Sequence, residues 1–189
     1  MKKEIELKFK LNQMPILKGV PVCIIQTYFD FNKKQEQLST IFKGINFEEI
    51  KEARVRKTVK LGQVKYTVTL KSSGTLTRSE YEKQISYSFA RGLLLGSTIF
   101  TIIKQRYIVK VDKYKVEIDK FLNTTQPLVL AEVEFNRDIN DKDIADVKAK
   151  LECAFLLECE DVTNDSKYKN KNLKNMVKEN ENENANECQ

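Results

Sequence analysis

Near the start of the chain Glu4, Glu6 and Lys8 alternate with Ile5, Leu7 and Phe9. In an extended strand this spacing puts charge alone on one face and apolar groups alone on the other. The period of two returns further along. Arg54 and Arg56 alternate with Ala53 and Val55, and Thr67, Thr69 and Lys71 with Val68 and Leu70. Arg78, Glu80 and Glu82 oppose Tyr81, and Lys104 and Arg106 oppose Ile103 and Tyr107. Lys115, Glu117 and Asp119 oppose Val116 and Ile118, and Glu132 and Glu134 oppose Val133 and Phe135. Paired carboxylates are hard oxygen ligands suited to Mg²⁺ or Mn²⁺. Clustered Arg and Lys suit a compact polyanion, Arg through bidentate contacts and Lys as a point charge.

The ordinary reading of one such strand puts its charged face in water and its apolar face on a core. Repetition argues for the opposite orientation. Like charges two apart on one face repel, and a surface strand has no reason to repeat them. A sheet closed on itself with the charged faces inward makes a site of that repulsion. Acids gather a divalent cation, bases gather an anion, and each set compensates the other. Helices then cover the apolar outer faces.

Composition narrows the chemistry. The 189 residues include no histidine, which excludes Ser-His-Asp and Cys-His nucleophile systems, a His general base and His-ligated zinc. The 33 basic and 27 acidic side chains give a net charge of +6, a balance suited to an anionic ligand in a site that also holds acids. The four cysteines show no CxxC spacing and read as reduced thiols of a cytoplasmic protein. No apolar run reaches spanning length, so neither membrane insertion nor secretion is expected.

The elements that must position these residues are mainly strands. Ser72 to Leu76, SSGTL, reads as a hairpin connection between two period-two runs. Ile144, Val147, Leu151, Ala154 and Phe155 recur at helical spacing between Asn140 and Leu157. A shorter helix is expected near Ser88 to Ile99, and another near Gln37 to Lys43 within the ambiguous stretch Lys33 to Glu52. Seven or eight strands with few helices predict an α+β, mainly β chain whose antiparallel sheet closes on itself. Residues 1–173 are expected to form that domain, and the Asn- and Glu-rich residues 174–189 a disordered tail.

Glu4, Glu6 and Lys8 match the ExExK signature of the CYTH domain, and the chain resembles the triphosphate tunnel metalloenzymes that carry it. ARVR, TLKSSGTLTRSEYEKQI, KQRY, VEIDKF, LAEVEF and VTNDSKYKN resemble that family's successive blocks, in order, over residues 2–173. The likeness is to the small bacterial branch that hydrolyses inorganic tripolyphosphate. It implies an eight-stranded antiparallel closed barrel, a tunnel with a charged interior and helices packed outside. It assigns metal to Glu4, Glu6, Glu132 and Glu134, and substrate phosphates to Lys8, Arg54, Arg56, Lys71, Arg78, Lys104 and Arg106. Lys8, Glu80, Glu82, Lys104, Glu117 and Asp119 form the implied catalytic set, its carboxylates completing a second metal or water shell.

The chain departs from that pattern at Leu7, where the branch commonly has a basic residue, in the long Lys33 to Glu52 stretch, read as a flap or rim, and in lacking a late Trp. Cys159 also stands near an expected Gly. Thr163, Asp165, Tyr168 and Asn170 read as a capping turn at the tunnel end. The implied partner is a small molecule containing a triphosphate, with no membrane or DNA; a homodimer is left open. Class IV adenylyl cyclase, thiamine triphosphatase and nucleoside triphosphatase activity on the same fold are the alternatives within the family. A polyphosphate or RNA-end binding module without turnover is the alternative of another class, and would have no need of the Glu pairs.

Overall fold

The computed structural model describes residues 5–72 and 79–178. Their elements run β1 (Ile5–Leu11), β2 (Val22–Phe29), α1 (Gln35–Ser39), β3 (Ile50–Lys60), β4 (Gln63–Ser72), β5 (Glu80–Ile85) and α2 (Tyr87–Leu94). They continue through β6 (Thr98–Val111), β7 (Tyr114–Phe121), β8 (Leu128–Phe135), α3 (Asp141–Phe155) and β9 (Cys159–Asp161). Nine strands form one sheet in the order β5-β4-β3-β2-β6-β7-β8-β1-β9. Every neighbouring pair is antiparallel. The SSGTL connection and Arg78 fall largely or wholly outside the described residues, as does Glu4.

The expected mainly β, antiparallel architecture is present; among the described residues its closure into the expected eight-stranded barrel is not shown. β5 and β9 stand at the two ends of the order, and the sheet is not closed by hydrogen bonds among the described residues. The added strand β9 is three residues long and pairs only with Phe9, Lys10 and Leu11 of β1. So short an edge offers no ladder to carry closure on to β5.

The register sorts the side chains as their parity predicts. Leu7, Phe9, Val116, Ile118, Ala131 and Val133 are buried together under Val147 and Leu151 of α3. Ala53, Val55, Val68 and Leu70 are buried with Leu38, Phe42, Ala90 and Leu93 from α1, the turn after it and α2. Both helical layers therefore cover one face. Arg54 and Glu132, each 7% exposed, Lys104 at 1% and Asp119 at 0% lie on the other face, away from α1, α2 and α3. Burial there requires the sheet to curl around its own charged side.

Local sequence accounts for the boundaries. The Asn140 side chain accepts from the backbone of Lys142 and Asp143, and Asp143 returns a bond to Asn140, a capping box that starts α3. Ser86 caps α2, and the chain turns at Gly96 with φ of 69° before entering the 14-residue β6. Leu61 and Gly62 both have positive φ in the two-residue turn between β3 and β4, the geometry that suits strand twist. The Lys33 to Glu52 stretch is no flap or rim. It seats Leu38 and Phe42 in the outer core, and Lys34 Nζ donates to the Gly92 and Leu95 carbonyls at the end of α2, at 2.8 and 2.9 Å.

At one end of the charged face the chemistry becomes apolar. Tyr28, Ile102, Phe121, Leu128 and Leu130 pack with Val162, Tyr168 and Leu173 from the last described segment. The expected boundary at residue 173 falls inside a turn spanning Asn170–Met176, and Val177 bridges to Thr124. Residues 179–189 lie outside the described residues. Among the described residues Cys153 and Cys159 are free thiols. Among the described residues no helix is long and apolar enough to cross a membrane.

Phe9 is fully buried beneath α3. Phe9→Ala is predicted to cost about 3–5 kcal/mol of stability while leaving turnover per folded molecule near wild type. Urea unfolding alongside activity corrected for folded fraction checks this. A fully stable variant without activity would place Phe9 in the site.

Candidate functional site

Four neighbouring strands, β6, β7, β8 and β1, build the first half of the charged face. β1 and β8 pair Lys8 with Glu132 and Glu6 with Glu134, and β7 sets Glu117 beside Glu132 and Asp119 beside Arg106 of β6. Lys8 Nζ lies 3.1 Å from Glu6 Oε1 and 2.8 Å from Glu132 Oε1. Arg106 Nη2 lies 3.0 Å from Glu132 Oε2, and its Nε donates to Asp119 Oδ1 at 2.6 Å. Arg106 also pairs with Glu117, and Lys104 with Asp119. Lys115 Nζ is 2.8 Å from the other Glu117 oxygen.

Electrostatics follow from that packing. Burial works against the Lys8 ammonium, but Glu132 and Glu6 outweigh it and raise its pKa to about 12. Burial would raise the Glu132 carboxyl; Lys104, Lys8 and Arg106 instead hold it well below the usual carboxylate range. Glu6 behaves oppositely. Desolvation and then repulsion from Glu132 raise its pKa, and Lys8 offsets only part of this. For Lys104 burial wins over Asp119, so its pKa is lowered.

The second half of the face comes from β2 to β5. Lys71 Nζ lies 2.6 Å from Glu80 Oε2, and the Arg54 guanidinium lies 3.7 Å from Glu52 and 3.8 Å from Glu80. Thr69 Oγ1 donates to Glu82 Oε2 at 3.1 Å. Arg56 Nε and Nη2 both donate to Gln26 Oε1 at 3.4 Å, and Gln26 Nε2 donates to Tyr28 Oη at 2.7 Å. Burial, then repulsion from Arg54 and Arg106, lowers the Arg56 pKa. Arg106 belongs to the first half, which joins the second through the pairing of β2 with β6.

Among the described residues expected at the site, Glu6, Lys8, Lys104, Arg106, Glu117, Asp119 and Glu132 form one connected group. Arg54, Arg56, Lys71, Glu80 and Glu82 form the second. Glu134 stands exposed at the edge, opposite Glu6. Thr163 Oγ1 accepts from the Lys8 backbone at 3.0 Å, the Tyr168 carbonyl accepts from Lys8 Nζ at 3.4 Å, and Asp165 caps its own turn, which fits the capping role read for that block. Glu52, Gln26 and Tyr28 were not singled out as site residues from the sequence. Position 52 shares the parity of 54 and 56, the signal that could have found it.

The residues fit a hard divalent cation by their donor chemistry. Glu6 and Glu134 bring two carboxylates into register, hard oxygen donors of the kind such a cation takes. Among the described residues no three acids already converge on one point, and Glu4 lies outside them.

The described residues form a curled antiparallel sheet with helices on its outer face and buried acids and bases on its inner face. The chain belongs to the CYTH domain family, whose model matches residues 2–167. It is 36% identical over 109 residues to the inorganic triphosphatase of Nitrosomonas europaea, covering 57% of this chain and 67% of the relative. The crystal structure of the hypothetical protein NE1496 superposes with a TM-score of 0.54 at 28% identity, over 93% of this chain and 99% of that one. A putative adenylyl cyclase from Hippeastrum with a dominant triphosphatase activity shares the fold, with a TM-score of 0.56 at 14% identity over 91% of this chain and 95% of that one.

Proposed function

We propose that this protein is a metal-dependent hydrolase of triphosphates and that inorganic tripolyphosphate, cleaved to pyrophosphate and phosphate, is its substrate. One observation carries the reading: buried cations are gathered beyond what the protein itself satisfies. Arg54 Nε is buried without a hydrogen-bond partner, and Arg56 sits between the repelling charges of Arg54 and Arg106 with a neutral amide as its acceptor. A polyanion lying along Arg54, Arg56 and Lys8 relieves both conditions. Membership of the family and the likeness to an inorganic triphosphatase support the choice of substrate class.

Glu4, Glu6, Glu132 and Glu134 are the residues that would hold Mg²⁺ or Mn²⁺. When bound, such a cation neutralises phosphate charge and acidifies water. The protein's own groups divide the remaining work. Lys71 extends the cationic line, and the family pattern adds Arg78, which lies outside the described residues. Lys104, buried and paired with Asp119, acts through that carboxylate by fixing Arg106 rather than by touching phosphate. Glu117 and Glu132 hold the same guanidinium from other sides. Glu80 is engaged by Lys71, whereas Glu82 accepts from Thr69 and has no ion pair among the described residues, which suits it to orient an attacking water.

Among the described residues the aromatic pair on this face, Tyr28 and Phe100, offers no open platform for a base. Tyr28 stacks on Phe100 with ring centroids 4.5 Å apart, inside the cluster covered by Tyr168 and Leu173. Tripolyphosphate is therefore predicted to give a higher kcat/KM than ATP, because differential binding acts only on the phosphates they share. Steady-state phosphate release from both substrates, with product analysis, tests this. A preference for ATP with accumulation of cyclic AMP would replace hydrolysis by the cyclase reading.

A further inference from the structure

We propose that Gln26 is a positioning residue of this site: a neutral side chain that holds the Arg56 guanidinium without neutralising it and leaves the Tyr28 hydroxyl hydrogen for the bound anion. This deepens the triphosphate reading and rests on it. Gln26 is fully buried in β2, opposite Arg56 on β3 and two residues from Tyr28 on the same face.

The direction of each hydrogen bond is fixed by its partners. A guanidinium has donors only, so the Gln26 carbonyl oxygen must face Arg56. Its amide nitrogen must then face Tyr28, and Tyr28 Oη accepts that bond at 2.7 Å. A phenol oxygen that accepts from one side directs its own hydrogen elsewhere. Burial raises the Tyr28 pKa to about 12, against the opposing pull of Arg54, so the phenol keeps that hydrogen. Arg54, its register partner, is itself only a donor. The Glu52 carboxylate also acts on Tyr28 electrostatically, but among the described residues no hydrogen bond takes up that hydrogen, which leaves it for an acceptor entering the site, as a phosphate oxygen would be.

The amide also sets the charge. Nearly every other cation of the face meets a carboxylate, as Lys8, Lys71, Lys104 and Arg106 do. Arg56 instead shares one amide oxygen through two long bonds of 3.4 Å. That contact orients the fork and leaves its full charge to a polyanion. A carboxylate at position 26 would close the fork into an ion pair and compete with substrate.

The test compares Gln26→Glu and Gln26→Met with wild type in kcat, KM for tripolyphosphate at saturating Mg²⁺, and urea midpoint. Gln26→Glu is expected to raise KM about ten- to hundredfold with its urea midpoint held, because the new carboxylate pairs with Arg56. Gln26→Met is expected to raise KM as well, but to add less than about twofold in an Arg56→Ala background, where nothing remains to be oriented. Wild-type turnover with KM unchanged in both single variants, or variants that lose only folded fraction, would overturn the role of Gln26 and leave the substrate reading intact. A wild-type protein that neither binds nor cleaves tripolyphosphate would overturn that reading and this proposal with it.

Discussion

Asp119→Asn is expected to lose about 3–5 kcal/mol of stability at pH 7, despite an unchanged side-chain shape. Asp119 is fully buried, Lys104 is 1% exposed, and the two are paired beneath Arg106. Removing the carboxylate charge leaves a buried ammonium uncompensated, while Arg106 keeps Glu117 and Glu132. The loss should shrink as pH rises. Burial already lowers the Lys104 pKa against the pull of Asp119, and without Asp119 it falls further. Between that folded value and the ordinary lysine value the unfolded chain binds more protons than the folded one, so unfolding free energy increases with pH there. Urea unfolding between pH 6 and pH 10 reads both effects. An unchanged midpoint at pH 7, or a deficit that widens with pH, would contradict the pairing.

Arg56→Ala should behave in the reverse manner, with a large kinetic effect and a small structural one. Loss of a guanidinium directed at developing phosphate charge is expected to reduce kcat/KM by about 10²–10³, for tripolyphosphate and ATP alike, since both present the same three phosphates. Stability should change little, because Arg56 is repelled by Arg54 and Arg106 more than Glu82 and Asp119 attract it, and among the described residues it is hydrogen-bonded to Gln26 alone. A variant impaired on ATP alone would show that Arg56 reads something beyond the phosphates.

The contrast between these two residues shows what could be read from sequence. Period-two spacing placed Arg56 and Asp119 on the charged face, and Leu7 and Phe9 on the buried apolar one, because strand parity is a local property. Which acid compensates which base is not local. Asp119 meets Lys104 and Arg106 only through the β6–β7 register, and Arg106 reaches Glu132 across β7. Closure is not legible in sequence for a related reason: it depends on how the two ends of the sheet meet, which no strand's own sequence states. Gln26 and Tyr28 lie on the expected face but carry no charge, so a search led by charge passed over them. Asp30, aligned with them by parity, instead caps the turn Phe31–Lys34.

Phosphate release from tripolyphosphate by the full chain, titrated with Mg²⁺ and with Mn²⁺ against an EDTA control, tests the central claim most directly. The arrangement of Glu6, Glu132 and Glu134 around a cationic line predicts no release in EDTA and saturable release with metal, yielding pyrophosphate and phosphate. Release that is indifferent to EDTA, or no release with either metal while tripolyphosphate still binds, would contradict it.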